Sequence, residues 1–375
     1  MHRFLPKGIL LLLFSSSFGA HAETGKRCGA YNGLDVLCLS SHSEDLVKLP
    51  DTRWLIISNP LRLLDTVSDK SRVVAEIAIK FDHATYRSCP GPIAPTGARK
   101  MGYAGSALNL RVGRPGTYTL YMRGPERRIE VFDLDARPKI PRLTWVGCIP
   151  TPQGLSLNAI APLPGKRLVA TNFASASFGN FATPEGRASL IRSLSNSEPT
   201  GDLWEWGPDL GWSKIPGTEG SGLNGIESSK DGRILYGAEW GRSRIIMFQR
   251  GKAGPPRVVT KLNFRPDNIR LQPDGSLVIG GHRASVQSIL NDCSFEHRCR
   301  EIHSSAVILD PLTRKIRYAL KDLPLPSPAP LSSTVGRCAP PPRAASVPAM
   351  TVASARRDRN STWQSTRWAI CSRFM

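Results

Sequence analysis

Asp231-Gly232-Arg233-Ile234-Leu235-Tyr236-Gly237-Ala238-Glu239 decides the fold. Asp-Gly before an apolar run marks a tight turn entering a buried strand. The phrase recurs on both sides. Downstream stands Asp274-Gly275-Ser276-Leu277-Val278-Ile279-Gly280-Gly281-His282. Upstream stand Pro164-Gly165 before Leu168–Asn172, Pro115-Gly116 before Thr117–Tyr121, and Asp51–Ser58, which lacks the glycine. Partner strands follow several of these units, among them Arg128–Phe132 and Arg244–Phe248. No long amphipathic helix is expected in the body of the chain. Five units at intervals of about 40–70 residues predict an all-β, six-bladed β-propeller whose last blade is incomplete or replaced by an irregular tail. A β-sandwich with coincidental turns is the alternative.

Composition sets the outer bounds. The chain has 375 residues, 40% hydrophobic and 21% charged, with 33 glycines and 31 prolines. These values fit a turn-rich globular protein and exclude collagen, coiled coil and wholesale disorder. The net charge is +20. The excess is dispersed, without a Lys/Arg block, zinc-finger spacing or RNA-binding aromatic signature, so no specific nucleic-acid partner is expected.

Residues 1–22 read as a secretory signal. Arg3 and Lys7 precede the apolar run Gly8–Phe14, and Ala20-His21-Ala22 is a small-x-small cleavage site. The apolar run is too short for a helical span, so export to periplasm or medium is expected, with no membrane span after cleavage. None of the eight cysteines forms a CxxC pair, which argues against zinc and, with export, for disulfides. Cys293–Cys299 closes a short loop, and Cys89–Cys148 is a reasonable second pair. Cys28 and Cys38 pair with each other, or one of them ties the N-terminus to the C-terminal part.

Oxygen-bearing side chains stand at one stage of the repeat, just ahead of turn and strand. They are Glu44-Asp45, Asn158, Asn224 and Asp267-Asn268. In a propeller, the inner strands of several blades bring such groups to one axial point. Carboxylates and carboxamides are hard donors that suit calcium. Any one of them alone reads as an ordinary turn residue; the recurrence points to a site.

Three stretches resemble paraoxonase-like calcium propellers: Ser43–Ser58, Asn224-Gly225-Ile226 through Glu239, and Pro266-Asp267-Asn268-Ile269 through His282. They are similar as well to the wider senescence-marker-protein/gluconolactonase group, which is related to strictosidine synthase-like proteins. The resemblance covers about residues 28–320. It implies that Glu44, Asn158, Asn224, Asp267 and Asn268 hold a catalytic calcium. It implies for Asp45 a second, structural calcium, whose acidic companion is here replaced by Ala159. The activity it implies is hydrolysis of lactones and other esters, calcium polarising the carbonyl while a base activates water.

The chain departs from that pattern where histidines are expected, at Ser106–Asn109 and Tyr121–Gly124. Asp267 and His282 are the remaining candidate bases. Arg123, at the mouth, either binds an anionic substrate or pairs with Glu130. The expected function is a calcium-dependent hydrolase of lactones or aryl esters. The alternative is a calcium-bound propeller, catalytically impaired, that serves as a binding scaffold.

The pattern ends near Leu320. Residues 321–375 form a Pro-, Ser- and Arg-rich tail with eight prolines, outside a propeller domain of 23–320. A frameshift around 320–350 accounts for this. Read from the third nucleotide of the Arg357 codon, permitted codons give GSKFYLAVYTVGDLFAFH, a last-blade strand pair. A flexible Pro-rich tail is the alternative.

Overall fold

The computed structural model describes residues 44–324 except 59, 75–76, 94–104, 179–180, 182, 253 and 294–301, and the backbone of five terminal strands. Side chains are described between Glu44 and Arg317. The signal segment, Cys299 and most of the tail lie outside the described residues, as do the side chains of Cys28 and Cys38.

Five sheets, antiparallel but for a two-residue parallel edge pairing at Ala78-Ile79 in the second, follow one another along the chain as the blades of a propeller. Their first strands are β1 (Leu46–Lys48), β2 (Leu108–Val112), β3 (Leu155–Pro162), β4 (Leu223–Ser228) and β5 (Arg265–Leu271). Each is hydrogen-bonded to the strand that follows its turn, and the chain then meanders outward. The turns read from the sequence do the reversing: Gly116, Gly165, Gly232 and Gly275 have φ of 70–79°. In the unit without glycine, Asp51 takes the corresponding conformation at φ 56°, a region Asp tolerates better than most residues. The predicted partner strands run over Arg128–Asp135 and Arg244–Gln249.

Apolar residues fill the space between adjacent blades. Ile56, Leu120, Phe132, Trp145 and Leu168 belong to a core shared by the first three blades. Val169 and Leu203 pack with Leu223 and Ile246 between the third and fourth. Ala238 and Ile245 pack with Ile269 and Ile279 between the fourth and fifth. Blades therefore hold one another by burial, and their first strands are pressed towards a common axis. Asn109 of β2 donates to the Ile160 carbonyl of β3 at 2.8 Å, and Arg270 of β5 donates to the Leu46 carbonyl of β1 at 3.3 Å.

A helix appears where none was expected. α1 (Pro184–Ser195) is inserted within the third blade, capped by Thr183 Oγ1 accepting from the Gly186 N–H, with proline at its start. Only Gly186, Leu190 and Leu194, spaced by four, are buried. This narrow stripe among Ser, Arg and Gly gave little periodic signal. Leu190 and Leu194 pack with Ala174, Trp240 and Val286.

Cys89 and Cys148 form a disulfide. The last strand of the fifth blade, Ile316–Pro324, crosses residue 320. A further sheet joins the two ends of the chain in the order Lys26–Tyr31, Leu34–Cys38, Arg367–Cys371 and Thr351–Ser354. No described helix is long and apolar enough to cross a membrane.

Candidate functional site

Each of β3, β4 and β5 breaks its register at the same place. The irregularities fall between Leu157 and Ile160, Leu223 and Ile226, and Pro266 and Ile269. They bracket Asn158, Asn224 and Asp267-Asn268. A bulge of this kind re-aims side chains that regular pleating would send elsewhere. The sequence shows the polar residues; the shared irregularity shows that three blades treat them alike.

The neighbouring backbones are locked together at this level. Thr171 Oγ1 accepts from the Ala159 N–H at 2.9 Å and donates to the Asn224 carbonyl at 2.6 Å. Gly225 lies so close to the next blade that a Cβ there would stand 2.3 Å from the Asp267 carbonyl oxygen. Asn268 Nδ2 donates to the Glu44 carbonyl at 3.1 Å. Glu44, Asn224, Asp267 and Asn268 are thus linked, and half-buried Asn158 stands one residue from the Thr171 tie.

The electrostatics are strained. Burial pushes the Glu44 carboxyl up to about 7, opposed by Arg123 and by a hydrogen bond with Ser106. Burial, with the charges of Glu44 and Asp45 nearby, holds Asp267 well above the usual carboxylate range, although Asn224 hydrogen-bonds to it. The amide oxygen of buried Asn224 has no hydrogen-bond partner. His282, 1% exposed, stands with Nδ1 3.5 Å from Asp267 Oδ2. Neither of its ring nitrogens is hydrogen-bonded, and burial pushes the imidazole down to about 4.

Asp45 faces a different partner. Its carboxylate accepts from the N–H groups of Leu46 and Leu108, both at 2.8 Å, and from Arg270 Nη2. Arg270 also reaches the Leu108 carbonyl at 2.9 Å and stands 3.6 Å from Glu227 Oε1. The charge beside Asp45 is therefore a guanidinium from β5. Glu227 and Arg270 were missed in the sequence. Their available signal was position: each follows a candidate oxygen ligand on the same inner strand, by three and two residues.

Arg123 does not pair with Glu130. That carboxylate is taken by Arg128 Nε at 2.5 Å and Trp145 Nε1 at 2.7 Å. Arg123 Nη1 donates instead to Ser106 Oγ at 2.8 Å. The reason is register: Met122, not Arg123, is opposite Glu130. Among the described residues, no three His, Cys, Asp or Glu side chains form a metal-holding group by themselves. Any ion here would depend on the carboxamides.

No protein-family model matches the chain, and no curated protein does. Among solved structures, a protein of a gluconolactonase family is similar at 14% identity over 82% of this chain and 83% of that chain, with a TM-score of 0.41. A luciferin-regenerating enzyme is similar at 14% identity over 75% and 76%, TM-score 0.41. A streptogramin B lyase is similar at 13% identity over 77% and 72%, TM-score 0.38. Likenesses this distant carry no argument about activity, which rests on the side chains above.

Proposed function

We propose that this chain is an exported, calcium-dependent hydrolase of lactones or aryl esters. One observation carries the reading: half-buried Glu44 and buried Asp267 are both held above the usual carboxylate range, the Glu44 charge acts on Asp267, and Asn224, which hydrogen-bonds to Asp267, keeps its amide oxygen without a partner. Arg270 answers Asp45 and Glu227, whereas the basic group paired with Asp267 at close range, among the described residues, is His282. A hard divalent cation held by Glu44, Asn158, Asn224, Asp267 and Asn268 fits this donor set. Calcium bound there would supply a Lewis acid for the substrate carbonyl and for the negative charge developing on it.

The proton of the attacking water goes to Asp267. His282 is buried behind it, and a neutral imidazole titrating near 4 is a weak base at neutral pH. The ring of blades is closed, on this reading, by a sixth blade built from the N- and C-terminal strands, and the signal segment directs export. Analysis of the N-terminus of the exported chain tests the cleavage near Glu23.

Hydrolysis of a lactone and aryl-ester panel is the functional test. Turnover should require calcium, stop with a chelator, and fall at least about 100-fold in Asn224→Ala. Full activity in excess chelator overturns the proposal. The scaffold reading draws support from the missing histidines and from Arg123 and Ser106 occupying that corner. It predicts that calcium raises the melting temperature while no substrate turns over.

A further inference from the structure

A cavity of about 640 Å³ opens between the second and third blades, lined by Arg123, Arg127 and Arg128 on one side and by Leu155, Ser175 and Phe181 on the other. Among the described residues, no carboxylate lines it. It abuts the axial site: Leu157 lines it and precedes Asn158, and Arg123 holds Ser106, which bonds to Glu44.

Arg128 is the informative side chain. It is 4% exposed, and its Nε and Nη1 are satisfied by Glu130 and by the Gly91 carbonyl at 2.9 Å. Its Nη2 has no partner. A buried guanidinium donor left open is costly. Arg127 is spent on the carbonyls of Pro152 and Leu155. Arg123 uses Nη1 on Ser106, acts on the Glu44 carboxyl, and lines the cavity. Two guanidiniums, one already fixed in place, thus meet an apolar wall of Leu155, Ala174 and Phe181.

We propose that this cavity binds the carboxylate of an organic anion through Arg123 and Arg128, so that the substrate is an ester or lactone carrying a carboxylate beside an apolar body. The assignment of substrate rests on the hydrolase reading; the anion site does not. A guanidinium recognises a planar carboxylate through charge-assisted bonds, and the apolar wall distinguishes such a ligand from a free inorganic ion.

Titration calorimetry of the full exported chain with calcium, using benzoate, benzamide and inorganic phosphate, tests the site. Benzoate should bind at least about 10-fold more tightly than its neutral isostere, because the amide loses the charge-assisted bonds. Arg123→Gln and Arg128→Lys should each weaken benzoate by about 10-fold, the lysine retaining a charge for Glu130 but not the second donor. Equal binding of benzamide and benzoate overturns the inference. So does parental affinity in Arg123→Gln with an unchanged melting temperature, a variant that leaves the Glu130 pair intact. Phosphate binding as tightly as benzoate overturns the carboxylate assignment. Hydrolysis of 4-acetoxybenzoate against 4-acetoxybenzamide is read separately. Preference for the acid, by kcat/KM, is expected. Turnover of both at equal rates overturns the anionic substrate and leaves the hydrolase standing. Benzoate binding without turnover of either overturns the hydrolase and with it the substrate assignment.

Discussion

Replacing Arg270 by methionine should be the most damaging single change on the axis. The side chain is 11% exposed and binds the Asp45 carboxylate and the carbonyls of Leu46 and Leu108, with Glu227 at 3.6 Å. These partners come from three other blades. Methionine would fill much of the volume but leave two buried carboxylates without their cation. Breaking a buried ion pair from one side costs about 3–5 kcal/mol. Two lost carbonyl contacts push the expected value towards the upper end. Burial already raises the Glu227 carboxyl to about 7 despite Arg270. Its folded value exceeds its unfolded one, so it favours the folded state at low pH and loses that contribution as pH rises through about 7. Without Arg270 the folded value rises further. The variant should therefore lose about 4 kcal/mol at about pH 8 and less at about pH 6, where Glu227 takes up a proton. Urea unfolding of parent and variant at both pH values measures this. Adding Glu227→Gln to Arg270→Met should recover part of the loss, by a coupling of about 1–3 kcal/mol. A variant within about 0.5 kcal/mol of the parent, or equally destabilised at both pH values, refutes the reasoning.

Three further outcomes are expected. Gly225→Ala forces a Cβ against the Asp267 carbonyl, so calcium affinity by titration should fall by at least about 10-fold as the β4–β5 spacing opens. Serines at both Cys89 and Cys148, which close a loop 59 residues apart, should cost about 4 kcal/mol in urea unfolding. Asp82 is held down to about 2 by hydrogen bonds from Thr85 and Lys166. Its contribution is present above the ordinary value of 3.8 and lost as pH falls towards 2. Asp82→Asn should flatten that segment of the pH–stability curve by less than about 1 kcal/mol, since the pair is partly exposed.

Much of the architecture is legible along the chain because blade formation is local. Turn chemistry and alternating apolar runs announce each hairpin, and Asp51 shows that the turn survives where its glycine is missing. α1 escaped because its buried stripe holds only Gly186, Leu190 and Leu194. The candidate oxygen ligands were visible as residue types at one stage of the repeat. Their shared irregularity of register was not, since it depends on how each inner strand pairs with the next.

The sequence by itself determined that strands would come in repeated hairpins and that Asn158, Asn224 and Asp267-Asn268 would stand on the first strand of their units, because turns and periodicity act over a few residues. Only the tertiary structure decided which charges answer which. Arg270 meets Asp45 across 225 residues of chain, and Glu130 chooses Arg128 over Arg123 because strand register turns one towards it and the other away. Coulomb interactions and desolvation are set by distance and burial, and these exist only once the blades have packed against one another.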